Sequence, residues 1–202
     1  MKACWSAVGL LVLLAGCQWP MTSQLNNPGD KNSSSYVSIY ANRSANNVSG
    51  DSIAGYWLNG TWNALANPAG SYNAGVSSLV VSGGNVYAAG SANNSSGVTV
   101  AGYWLNGTWN ALPNPAGAYN AAVYSLVISD NNVYASGYIV DTSSSRVAGY
   151  WLNGTWNALP NPAASTFAMA FSMVVSDGNV YVAGIVFNVS WVEIPGYWLN
   201  GT

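Results

Sequence analysis

The block Ala-Gly-Tyr-Trp-Leu-Asn-Gly-Thr-Trp-Asn-Ala-Leu begins at Ala54, again at Ala101 and again at Ala148. A fourth copy opens in the same register with Gly196-Tyr-Trp-Leu-Asn-Gly-Thr202, so the spacing is 47 residues throughout. Between these blocks the letters vary but the pattern holds. Val76-Ser-Ser-Leu-Val-Val-Ser, Val123-Tyr-Ser-Leu-Val-Ile-Ser and Ala170-Phe-Ser-Met-Val-Val-Ser are followed by Asn85-Val-Tyr, Asn132-Val-Tyr and Asn179-Val-Tyr. A fixed period of this length means that one supersecondary unit is stacked on copies of itself. No window has a helical period, so the unit is made of strands.

Each unit divides into four short strands. The first centres on runs such as Leu79-Val80-Val81, which are apolar on both faces, as in a strand sandwiched between sheets. The second is Val86-Tyr-Ala-Ala89, reached through a tight Ser82-Gly83-Gly84 turn. The third is Val100 to Leu105, and the fourth is Thr108 to Leu112, stopped by Pro113 and Pro115, which remove ladder donors. Asn106-Gly107 between the last two is the favoured pair for a type I′ hairpin turn, because both positions need positive φ. That register sets Trp104 opposite Trp109 on one face, where an aromatic pair adds up to about 1 kcal/mol. For both indoles, a place in the core between neighbouring sheets is favoured over service as an exposed platform.

Four-stranded meanders at such a period are the signature of β-propeller blades. The Asn-Val-Tyr-Ala-Ala-Gly strand, the Tyr-Trp strand and the Trp-Asn-Ala-Leu-Pro-Asn-Pro exit resemble kelch-type propeller repeats over nearly all of residues 36–202. The paired glycines of the kelch second strand are here only Ala89-Gly90, Ser136-Gly137 and Ala183-Gly184, with Asn42-Arg43 in the first copy. The expected fold is therefore all-β, a propeller of four-stranded antiparallel blades over about 36–68, 69–115, 116–162 and 163–202. The first blade starts at its second strand, near Tyr36, and the last stops before its fourth. Strands thus run three, four, four, three, an incomplete ring of about three and a half blades and a fragment of a longer chain.

The chain's start has another character. Met1-Lys2, the apolar run Ala7 to Leu14 and then Ala15-Gly16-Cys17 read as the charged, hydrophobic and cleavage regions of an export signal over 1–16. Leu14-Ala15-Gly16-Cys17 resembles the lipobox of bacterial lipoproteins, which implies cleavage before Cys17 and lipid attachment to its sulfur. Two acyl chains anchor stably where one does so marginally. The expected location is the bacterial cell envelope, with residues 17–35, rich in Asn, Ser and Pro, as a tether.

Charge and residue types exclude much chemistry. Charged residues make up 5% of the chain, against roughly a quarter in an average domain. The few cations cannot form a phosphate-binding stripe, so nucleic acid is an unsuitable partner. There is no histidine, which removes the commonest general base and metal ligand together. Asp130 and Asp177 fall in turns where another copy has Gly83, while Asp51, Asp141 and Glu193 are expected in connections between the second and third strands. No catalytic role, metal or cofactor follows from them. Because strands alternate direction, the long connections Ser44 to Gly50, Ser91 to Thr99, Tyr138 to Arg146 and Phe187 to Trp191 share one face with the Asn-Pro-Ala-Gly loops. Loops on a rigid scaffold are where recognition resides. Tyr72, Asn94, Tyr119 and Asp141 are the candidate contacts, for a polar ligand, glycan or protein partner. A carbohydrate-binding propeller is one alternative, and a propeller enzyme with an acidic site is another.

Overall fold

The computed structural model describes residues 39–46, 50–68, 71–162 and 167–202. The signal, Cys17, the tether and the expected strand start at Tyr36 lie outside the described residues. Fourteen strands form four antiparallel sheets with no helix among the described residues. The first sheet is β1 (Ile39–Asn46), β2 (Ser52–Leu58) and β3 (Thr61–Ala64), and the second is β4 (Asn73–Ser82), β5 (Asn85–Asn93), β6 (Thr99–Leu105) and β7 (Thr108–Ala111). The third is β8 (Asn120–Ser129), β9 (Asn132–Val140), β10 (Arg146–Leu152) and β11 (Thr155–Ala158). The fourth is β12 (Ala168–Ser176), β13 (Asn179–Phe187) and β14 (Glu193–Leu199). Each sheet is a meander in chain order, and β4, β8 and β12 touch one another from sheet to sheet, which makes them the innermost strands. This is a β-propeller whose blades hold three, four, four and three strands among the described residues.

The hairpins follow the expected register. Asn106 and Gly107 both have positive φ, and Leu105 pairs with Thr108 and Trp104 with Trp109. Asn59-Gly60, Asn153-Gly154 and Asn200-Gly201 repeat the turn. Asp130 and Asp177 occupy left-handed positions of the turns after β8 and β12, at φ 49° and 51°, which explains an aspartate there by its tolerance of that conformation.

The Tyr-Trp dipeptide fills two seams at once, because successive side chains on a strand point to opposite faces. Trp151 reaches back into a cluster with Ala89, Ala101 and Leu112 of the preceding blade, while Tyr150 packs forward with Leu159, Ala170 and Val182. Trp104 and Trp151 are 0% exposed. Each indole Nε1 donates to a carbonyl in the exit loop of the blade before it: Trp104 to Ala66 at 2.9 Å, Trp151 to Pro113 at 2.9 Å, Trp198 to Pro160 at 2.7 Å. Without a described blade behind it, Trp57 is 37% exposed, and its ring lies 5.4 Å from Trp62 where the Trp151 and Trp156 centroids are 4.4 Å apart.

The innermost strands are longer than the apolar runs that signal them, and each is kinked. The register slips between Val76 and Ser78, Val123 and Ser125, and Ala170 and Ser172, a β-bulge that leaves Ser77, Tyr124 and Phe171 as extra residues. The bulge brings the carbonyls of Gly75, Ala122 and Met169 over Gly90, Gly137 and Gly184. Glycine is thus demanded at these three positions by backbone approach, whereas the residue before each is Ala89, Ser136 or Ala183, the first two buried. In β1, an edge strand of its sheet, position 43 is arginine.

Two measurements follow from the seams. Ser136 is buried and its Oγ has no hydrogen-bond partner, while Ala89 fills the same place one blade earlier. Ser136→Ala is expected to gain about 1 kcal/mol by removing an unsatisfied hydroxyl, raising Tm by roughly 2–4 °C in a chain of this size. An unchanged or lower Tm contradicts it. Tyr103 and Tyr150 hold their protons above the ordinary phenol value of 10.0, chiefly because burial disfavours the anion and secondarily because Tyr87 and Tyr134 lie beside them. The unfolded chain therefore releases these protons first as pH rises. The stability they contribute is complete below pH 10 and declines as pH climbs past it toward the raised values. Denaturant titrations from pH 8 to 11 are expected to show that decline, and to show it reduced when both residues are phenylalanine.

Candidate functional site

The loop-rich face owes its shape to one repeated turn. Oδ1 of Asn94 accepts from the N–H groups of Ser96 and Val98 at 3.0 Å each. Oδ1 of Asp141 accepts from Ser143 and Ser145 at 2.9 Å each, and Oδ1 of Asn188 from Ser190 at 2.9 Å and Val192 at 3.0 Å. A side-chain carbonyl or carboxylate at the first position satisfies two amides that otherwise lack partners, which sets the backbone whatever letters follow. The fourth position is left-handed in every case, with φ 80° at Gly97, 61° at Ser144 and 59° at Trp191.

This corrects the expectation of long, dissimilar connections. β5, β9 and β13 extend as far as Asn93, Val140 and Phe187, so the loops shrink to residues 94–98, 141–145 and 188–192 with one conformation and different side chains. Glu193, expected in such a connection, is the first residue of β14.

Of the expected contacts, Asn94 and Asp141 form the turns themselves. Tyr72 and Tyr119 are each 41% exposed and lie against the left-handed residue of their own blade's turn. The Tyr119 hydroxyl donates to Ser144 Oγ at 3.2 Å, and a Cβ on Gly97 would stand 3.5 Å from the Tyr72 hydroxyl. The four residues thus make two pairs, Tyr72 with the Asn94 turn and Tyr119 with the Asp141 turn, one repeat apart. The seams beneath are bridged by asparagine: Ser52 N donates to Asn73 Oδ1 and Thr99 N to Asn120 Oδ1, both at 2.8 Å.

Two cavities open on this face. One of about 320 Å³ lies between β4, β5 and β8 and is bordered by Ser77, Ser91, Asn93 and the bulged Tyr124. Ser77 Oγ is spent on the carbonyls of Val123 and Ala89. The other, of about 230 Å³, lies at the seam of the third and fourth blades and is bordered by Asp141, Ser145, Arg146 and Asn161.

At that second seam the residues break the repeat. Arg146 stands where Ser52 and Thr99 do, and Phe167 where Asn73 and Asn120 do. Instead of an asparagine bridge, Arg146 and Phe167 form a parallel β-bridge, and the guanidinium sits over the Phe167 ring at 4.6 Å and the Tyr138 ring at 4.8 Å. Phe167 meets Phe187 edge-on at 4.9 Å, and Trp191 leans on both at 6.1 and 6.0 Å while remaining 68% exposed. Trp191 is the residue that sequence reasoning passed over. Its signal was available: aligned at 47 residues, it falls on Gly97 and Ser144. Among the described residues no group of three or more Cys, Asp or Glu side chains is placed to hold a metal ion. No protein-family model matches the chain, and no curated protein matches it in sequence.

Proposed function

We propose that this chain is a non-catalytic binding module, a kelch-like propeller exported to the bacterial cell envelope and held there by lipid on Cys17, which engages a polar ligand or partner through its loop-rich face. The observation that carries the reading is the contrast between the two faces. On one, the Asn-Gly turns repeat in sequence as well as in conformation. On the other, a single backbone frame presents different side chains in each blade, the arrangement by which scaffolds diversify recognition. The lipobox-like Leu14-Ala-Gly-Cys17 supports the anchor, and the low charge suits a neutral polar surface.

A photoreactive residue at Thr142 on the loop face, compared with one at Thr155 on the hairpin face, tests this in living cells. Adducts from position 142 alone are expected, together with palmitate labelling that disappears in Cys17→Ser. Adducts from position 155 alone, or from neither, defeat the binding reading, and labelling that survives the cysteine change defeats the anchor.

A further inference from the structure

Four departures from the repeat lie where the third and fourth blades meet, and three of them, Arg146, Phe167 and Trp191, are linked by ring contacts. Arg146 replaces Ser52 and Thr99, Phe167 replaces Asn73 and Asn120, Val189 replaces Ser95 and Thr142, and Trp191 replaces Gly97 and Ser144. Folding does not ask for them, since the same turn and seam form without them one blade earlier. Trp191 is costly in the folding sense: it holds a bulky residue at φ 59°, where the other copies use glycine or serine. Its indole stays largely in solvent, so burial does not repay the strain. Strain kept at an exposed aromatic points to a ligand.

The chemistry beside the indole narrows the ligand. Phe167, which supports Trp191, is followed in the chain by Ala168 and lies under the Arg146 guanidinium, and both neighbours are on the wall of the 230 Å³ cavity. Arg146 is held between two rings and donates from Nη1 to Met169 Sδ at 3.3 Å, so its fork is fixed in direction. Asp141 and Asn161 line the same cavity. Asp141 and Arg146 balance each other on the cavity wall, Glu193 stands opposite Phe187 beside Trp191, and so the spot has no excess of positive charge to draw an acidic group. The cavity is below the roughly 300–1,000 Å³ that drug-sized ligands fill, which suits a single small ring. A flat indole joined through the Phe167 ring to Arg146 and its cavity matches a molecule with one apolar face and a hydroxylated rim. A membrane surface fits less well, since Arg146 is the only cation in residues 44–202 and no cluster of cations is there for anionic lipid.

We infer that Trp191 and the Arg146 cavity form a binding site for one neutral pyranose of a glycan, with the sugar's apolar face on the indole and its hydroxyls toward Arg146, Asp141 and Asn161. The inference rests on the loop-face reading and names its ligand class. The full chain with Cys17→Ser, which keeps it free of lipid, is applied to an array of neutral and acidic glycans and to phosphatidylcholine vesicles. Trp191→Gly and Arg146→Thr install residues that the repeat already carries at Gly97 and Thr99, so both should fold. Binding to neutral glycans is expected, with affinity lowered about tenfold or more by each change, as for central aromatic and arginine contacts, and with Tm no lower in Trp191→Gly. A blank array, binding confined to acidic glycans, undiminished binding by Trp191→Gly, or vesicle binding that depends on Trp191 overturns the site. If the array is blank while position 142 still gives adducts, only the glycan inference falls; if both are blank, the loop-face reading falls too.

Discussion

Trp151→Ala is expected to destabilise the chain by about 3–5 kcal/mol, the range for truncating a buried large aromatic. That is a large part of the roughly 5–15 kcal/mol that holds an ordinary domain together. The indole is wholly buried between two blades, its Nε1 satisfies the Pro113 carbonyl, and its ring packs on Trp156. Removing it opens a cavity in a seam and leaves that carbonyl without its donor. Trp57→Ala is the matched control, because the same residue type in the same hairpin is over a third exposed there. Its cost should stay near 1 kcal/mol, the worth of the cross-strand pair. Urea unfolding followed by circular dichroism measures both. Equal losses at the two positions would mean that seam burial is not what these tryptophans supply.

Gly137→Ala is the second large effect, at about 3 kcal/mol, the upper end for forcing extra atoms into a packed interior. A Cβ at this position would collide with the Ala122 carbonyl oxygen, and the carbonyl belongs to the bulged backbone of β8, which has no rotamer by which to move aside. The same change at Gly196 meets nothing within 4 Å. That variant is expected to be as stable as the parent. A Gly137→Ala chain with an unaltered Tm would show that the bulge relaxes freely.

The two glycines illustrate what the letters can and cannot reveal. The Asn-Gly hairpins were readable because turn type depends on φ at two adjacent residues, a local matter that side-chain chemistry decides. The direction of the tryptophans was readable as well, since a strand of period 2 between two sheets must send Tyr150 and Trp151 opposite ways. The bulge was not, because it is a slip in the pairing of β8 with β9 and leaves no mark in the run Val123-Tyr-Ser except an unexplained downstream glycine. The loop face was misjudged for a related reason. Variable letters suggested variable backbone, yet Asn94, Asp141 and Asn188 stand at one period and each can cap its own turn. Tyr72 and Tyr119 lie against the turns of that face, and how far each ring is covered depends on loop contacts that the order of residues does not encode. Trp191 carries no local motif, and only its alignment at 47 residues with Gly97 and Ser144 sets it apart.

The bond from each indole to the exit loop of the blade before it has a consequence for heredity. Each of the three seams among the described residues is written by two successive units, one supplying the tryptophan and the other the carbonyl. In-frame duplication or loss of one unit in the gene would therefore recreate a working joint at the new junction, with stability changing by a nearly constant step. Blade number in such a lineage is free to drift by recombination, while the joint itself is held to its residues in every copy.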